Sequence, residues 1–168
     1  MTRAPAFAAL TLLLAPLPAL AGSAAETCAK AEEPATARLT ACAALLQDAA
    51  LPTADKVAVL NIRSSLMLDL DRPKDAIAEA NAALALAPGN ALALNLRAEA
   101  EQNLGQFPAA LADVRAALAA DPRSIRTLLN LGAILRASGA PPEAERDAYD
   151  KALAIAPDNP YALAVRAG

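Results

Sequence analysis

Apolar and polar residues along this chain alternate with a helical spacing, and whole blocks of the pattern return. The string "AALALAPGN" at 82–90 comes back as "AALAADPRS" at 116–124 and as "KALAIAPDN" at 151–159. Pro88, Pro122 and Pro157 are therefore 34 and 35 residues apart, and each closes an Ala-Leu-x-x-x-Pro string. A period of this length marks a repeated helix–turn–helix unit. Three units align: 57–90, 91–124 and 125–159.

More than the proline recurs. A small residue stands eighth in each unit (Ser64, Ala98, Gly132) and a turn residue fifteenth (Asp71, Gly105, Gly139). Ala76 and Ala110 share the twentieth place, where Ala144 is expected to answer them. Ala83-Leu84, Ala117-Leu118 and Ala152-Leu153 precede the prolines. The third unit has one extra residue, in the Pro141-Pro142 turn or just after it. Closely crossed helices need Gly, Ala or Ser where backbones approach, and Leu-type residues three or four apart fill the seam. Gly105 and Gly139 suit a left-handed helix cap, and the proline ends the second helix. No unit buries its apolar face alone, so the units are expected to stack. Strand signals, the β-branched and aromatic runs, are missing, which makes the expected fold class all-α.

Composition sharpens this. Apolar residues make up 56 %, mostly Ala and Leu, and aromatics only 2 %, as suits many small helix contacts. The formal charge is −3. No basic patch interleaved with aromatics appears, which argues against nucleic acid as a partner. There is no histidine, so the commonest general base and transition-metal ligand are both absent. No nucleophile motif, glycine-rich phosphate loop or metal-ligand spacing is found, so the sequence predicts no enzyme, metal, cofactor or small-molecule substrate.

Residues 1–21, "MTRAPAFAALTLLLAPLPALA", place one Arg before an apolar stretch, then Pro16 and Pro18, then Ala19-Leu20-Ala21. That is the layout of a cleavable secretory signal peptide, and it predicts a periplasmic location. Removing it takes away Arg3, leaving 14 basic against 18 acidic residues and a charge near −4. The alternative is a retained anchor, because no charge lies between Arg3 and Glu26. Pro5, Pro16, Pro18 and Gly22 interrupt that run. In an oxidising compartment Cys28 and Cys42 are expected to form one structural disulfide. The spacing is not a redox C-x-x-C, and a two-cysteine metal site without His is weaker still. Such a loop is worth roughly 3 kcal/mol by chain entropy.

On Leu94, Ala98, Gly105, Phe107, Ala110, Ala117 and Pro122 in the second unit, and Leu128, Gly132, Gly139, Tyr149, Ala152 and Pro157 in the third, the chain resembles a tetratricopeptide repeat protein of exported bacterial type. The first unit departs most, with Asp71 for the turn glycine and Ala80 where an aromatic is common. The aromatics usual at the fourth and eleventh places are replaced by Leu, Met or Glu throughout. The resemblance spans 57–159 and implies a right-handed superhelical solenoid. Residues 22–56 then read as an N-terminal capping hairpin, with 52–56 as the connection, and 160–168 as a partial capping helix.

The resemblance further implies a concave groove lined by the first helix of each unit and binding a peptide or protein segment. The groove places hold Asn61, Ser65 and Asp69 in the first unit, Asn95, Glu99, Gln102 and Asn103 in the second, and Arg126, Asn130 and Arg136 in the third. Amides suit peptide backbones, and guanidinium suits carboxylates. The same residues on any solvated helix face look alike. The carboxylate clamp of co-chaperones is matched at Arg126 alone: Asn61, Leu96 and Asn130 stand where other residue types belong. Arg63 and Arg97 recur at the seventh place, as a basic ladder or as a solvated edge. The expected role is a non-catalytic periplasmic scaffold, or a subunit of an envelope or membrane complex tethered by its N-terminal segment.

Overall fold

A computed structural model describes residues 24–167, which form nine helices and no strand. The signal-peptide reading of 1–21 lies outside these residues. Helix α1 covers 24–29 and α2 Ala35–Leu46. Three helical hairpins follow: α3 (Thr53–Asp69) with α4 (Pro73–Leu86), α5 (Ala91–Asn103) with α6 (Phe107–Ala120), and α7 (Ile125–Ala137) with α8 (Pro142–Ile155). Helix α9 (Pro160–Ala167) closes the array. The stretch expected to connect at 52–56 is helical from Thr53, because Pro52 stands at the N-cap and Asp55 favours the first turn. No described helix is long and apolar enough to cross a membrane.

The recurring residues start and stop these helices by a few local devices. Asn90, Ser124 and Asn159 each accept a hydrogen bond from the backbone N–H three residues on, capping α5, α7 and α9. Pro88, Pro122 and Pro157 force the preceding residue out of the α region. Ala87, Asp121 and Ala156 accordingly sit at ψ 84°, 89° and 87°, and the second helices end there. Between the helices of each unit the chain turns through positive φ: 54° at Asp71, 72° at Gly105 and 73° at Gly139. The N–H groups of Arg72, Gln106 and Ala140 reach back to carbonyls five residues earlier, closing the last helical turn. Asp71 holds the left-handed place without being glycine, a conformation that a short polar side chain tolerates.

Within each unit the helices cross on residues with no exposed surface: Ala83, Ala117 and Ala152. The crossing also balances size. Ala98 packs with Val114 and Gly132 with Tyr149 at equivalent places, so a larger residue on the second helix meets a smaller one on the first, whereas in the first unit Ser64 donates to the Ala76 carbonyl at 2.9 Å. A Cβ at Gly132 would lie 2.5 to 2.8 Å from three Tyr149 ring atoms. Tyr149 is itself fixed by the edge of Tyr161, with ring centroids 6.2 Å apart, and by the Arg136 guanidinium 5.7 Å from its centroid. Burial pushes its phenol to about 12.

The extra residue of the third unit lies in the turn, since α8 begins at Pro142, 35 residues after Phe107. This corrects one expected equivalence. Glu145, not Ala144, takes the place of Ala76 and Ala110. Its carboxylate meets Arg136 Nε at 2.6 Å.

The seventh-place arginines form neither a ladder nor a solvated edge. Arg97 holds Asp113 through two bonds of 2.6 and 2.8 Å and Asn81 through a third of 2.6 Å. Arg63 pairs with Glu79 at the equivalent place. Both ion pairs join the two helices of a unit and are largely shielded, so the hydrogen-bonding carboxylates raise both arginine pKa values.

At the N-terminus Cys28 and Cys42 form a disulfide. Both are buried with Leu45 of α2 and Val59 of α3, which fastens the first hairpin to the stack.

Two outcomes are expected. Gly132→Ala should destabilise the protein by about 1–3 kcal/mol in chemical denaturation, through overpacking against Tyr149. Adding Tyr149→Val, which recreates the Ala98–Val114 pairing, should recover part of that loss. Arg97→Ala should cost about 2–3 kcal/mol, because Asp113 is left shielded and unpaired. Unchanged denaturation midpoints would refute either assignment.

Candidate functional site: the concave groove

Successive first helices touch one another, α3 with α5 and α5 with α7, whereas among the described residues no comparable contact joins α4 to α6 or α6 to α8. The first helices therefore form the inner layer of a curved stack. Two adjoining hollows lie on that layer. One, about 370 Å³, is bounded mainly by Val57, Ala58, Ile62, Leu92 and Leu96. The other, about 620 Å³, is bounded mainly by amides and carries Glu99. Arg126, in the first turn of α7, lines both.

The expected groove residues divide accordingly. Asn61 and Ser65 border the first hollow. Asn95, Glu99, Gln102, Asn103 and Asn130 border the second, and Arg126 stands between. Asp69, at the end of α3, is exposed and lines neither, though its charge reaches Glu99. Arg136 is not brought to the groove. Glu145 and the face of Tyr149 draw it towards α8, and the one-residue insertion is what puts Glu145 there.

Two of these asparagines are more buried than a solvated helix face predicts. Asn61 is 5 % and Asn95 2 % exposed. Each ties one unit to the next. Asn61 Nδ2 donates to Asn90 Oδ1 at 3.1 Å, and that oxygen also accepts the Ala93 N–H. The cap fixes the orientation of Asn90, which in turn fixes that of Asn61. Asn130 Nδ2 donates to both the Asn95 main-chain carbonyl, at 3.3 Å, and its Oδ1, at 3.1 Å. Asn61 Oδ1 and Asn95 Nδ2 remain without a partner among the described residues.

Charge in the groove is sparse. Arg126 lies 3.9 Å from Glu99, a loose pair with both side chains substantially exposed. Burial raises the Glu99 carboxyl pKa, Asp69 raises it further, and Arg126 opposes both. No group of residues suited to hold a metal ion occurs among the described residues.

Leu92 lines the first hollow although the sequence pattern does not single it out. It occupies the second place of its unit, a groove place, but an apolar residue there reads as core; Leu96, at the sixth place, is core, 1 % exposed, and only floors the hollow. Leu92 is nonetheless 42 % exposed. The available signal was an apolar side chain at a place that the third unit fills with Arg126, muted by Ala58 at the same place of the first unit.

Comparison with known proteins agrees with the geometry. A search of curated protein sequences finds no match. Among solved structures, the first tetratricopeptide domain of Spaghetti (RPAP3) bound to the HSP90 peptide SRMEEVD is similar, with 22 % identity and a TM-score of 0.63 over 67 % of this chain and 89 % of that one. The second such domain of human RPAP3, in complex with the HSP70 peptide SGPTIEEVD, gives 19 % and 0.62 over 69 % and 96 %. YrrB, a tetratricopeptide protein with an unusual peptide-binding site, gives 19 % and 0.66 over 80 % and 66 %. These likenesses show the fold, a superhelical solenoid of helical pairs. The family model described as tetratricopeptide repeat matches residues 63–122 and 95–160, together more than half of the sequence. The chain belongs to the tetratricopeptide repeat family.

Proposed function

We propose that this protein is a non-catalytic interaction module that holds an extended segment of another protein in its concave groove. The observation that carries this is the continuous inner surface, where an apolar hollow and an amide-rich hollow meet at Arg126. The apolar part suits a side chain, and the amides suit a backbone. Peptides are bound by the two RPAP3 domains of the same fold, which supports the reading. The clamp for a chaperone terminus remains disfavoured, since Leu96 stands at one of its polar places and Arg126 supplies the single cation of the set.

We place the protein in the bacterial periplasm, on the layout of residues 1–21 and on the buried disulfide that an oxidising compartment sustains. Membership of a membrane complex, through a retained N-terminal segment, is the second reading. It rests on the absence of charge between Arg3 and Glu26, and the N-terminal mass of the native protein decides it.

Replacing both Leu92 and Arg126 with Glu should leave the thermal melt within a few degrees of the wild type, because both side chains are exposed. Cross-linked capture of native envelope partners should fall at least tenfold. Undiminished capture by that double variant would move the binding face away from the groove.

A further inference from the structure

Helix α9 stands where a fourth unit has its first helix. It packs against α8 and, among the described residues, has no second helix of its own. Its Asn159 cap matches Asn90 and Ser124, and Ala162 is buried as Ala93 and Thr127 are at the same place. The fourth place behaves differently. Leu60, Leu94 and Leu128 are at most 7 % exposed there, whereas Leu163 is 46 % exposed. Leu60 and Leu94 share a buried cluster with Ala83, Leu84 and Ala117 of the second helices. Leu163 is the same residue at the same place without that cover.

The molecule itself shows what covers such a face, through the residue at the seventh place. Arg63 pairs with Glu79 and Arg97 with Asp113, and both carboxylates stand at the twenty-third place of their units. The third unit has Leu131 at the seventh place and, once its inserted residue is allowed for, Ala148 at the twenty-third. Arginine on a first helix thus goes with a carboxylate on the second, and leucine goes with alanine. The two second helices of the arginine kind share one pattern, "AIAEANAAL" at 76–84 and "ALADVRAAL" at 110–118. Helix α9 carries Arg166 at its seventh place. We propose that α9 receives a helix of another protein built on this pattern, an acidic residue among alanines, which completes the fourth unit in trans. Its carboxylate pairs with Arg166, and its alanines cover Leu163.

Arg166 already makes half of the bonds that Arg97 makes. Its Nε lies 3.0 Å from Asp150, which stands at the place of Asn81, the residue that Arg97 reaches in the preceding unit. The other half, which Asp113 supplies to Arg97, is open. Local charge also favours an acid. Arg146, Arg166 and Glu145 border a hollow of about 210 Å³ between α8 and α9. Glu145 is held by Arg136 and Asp150 by Arg166, which leaves Arg146 without an ion pair among the described residues. Three guanidinium groups therefore face two carboxylates, and one further carboxylate evens the count. A second copy of this chain does not offer the helix, because α4 and α6, which carry the pattern, are packed on α3 and α5.

This surface is separate from the groove, and its test leaves the groove reading untouched. The probe is the acetylated, amidated peptide of residues 107–120, the α6 sequence, titrated into the full chain and followed by NMR. Amide shifts should centre on Leu163 and Arg166. Asp113→Arg in the peptide should weaken binding at least tenfold, the size of one charge-assisted contact. Arg166→Asp in the protein should restore the binding of that variant peptide. Leu163→Glu should abolish the α9 shifts and leave the thermal melt unchanged, because the side chain is exposed. Joining the peptide to the C-terminus by a flexible glycine–serine linker makes its docking intramolecular, so a weak free peptide does not decide the matter. The tethered helix should slow hydrogen exchange at Leu163 and Arg166, and its Asp113→Arg variant should slow it at least tenfold less. No α9 shift with the free peptide, together with no α9 protection by the tethered one, would overturn the proposal. Equal binding of the Asp113→Arg peptide, or shifts confined to the groove turns of α3 and α5, would overturn it too. So would a dimer in sedimentation equilibrium that Leu163→Glu dissolves, which would give the face to a second copy.

Discussion

Everything in this molecule depends on how closely two helices can approach within one unit. The approach is set by the fully buried alanines Ala83, Ala117 and Ala152, and by the matched pair one turn earlier on the second helix. Where the second helix carries Tyr149 the first helix carries Gly132, and a Cβ there would overlap the ring. A chain with 2 % aromatics has little other means of filling the seams between its helices.

From that crossing the inner face follows. The hairpins stack first helix on first helix, and the second helices splay outward. The N-caps at Asn90 and Ser124 start α5 and α7 at equivalent places of the repeat. Asn61 fastens α3 to the N-cap of α5, and Asn130 fastens α7 to α5. A side chain that reads as a groove contact is thus also a fastener, and the groove is rigid because its floor is tied. Arg126 stands in the first turn of α7, two residues beyond its Ser124 cap, and lines both hollows.

Much of this was legible in the sequence, and for physical reasons. Proline restricts the residue before it, glycine marks the left-handed cap, and alanine marks the close approach. A fixed period of such residues therefore reports helices, turns and crossing points together. The illegible parts share one cause: an insertion or a substitution changes which neighbour a residue meets, and spacing alone does not show neighbours. The residue added between Gly139 and Pro142 put Glu145 where Ala144 was expected and drew Arg136 from the groove. Arg63 and Arg97 looked like surface charge because their partners, Glu79 and Asp113, lie 16 residues away on the second helix. Leu92 looked like core because exposure is a property of the stack. Pro52 looked like a linker residue, although it opens α3.

We propose the inner layer, and not the outer one, as the face that receives the partner. Hydrogen–deuterium exchange of the protein, alone and in its isolated native complex, measures this directly. Slowed exchange is expected along the groove-lining turns of α3, α5 and α7, with α4, α6 and α8 unchanged. Protection confined to the outer helices, or to the disulfide-bonded hairpin of α1 and α2, would contradict it.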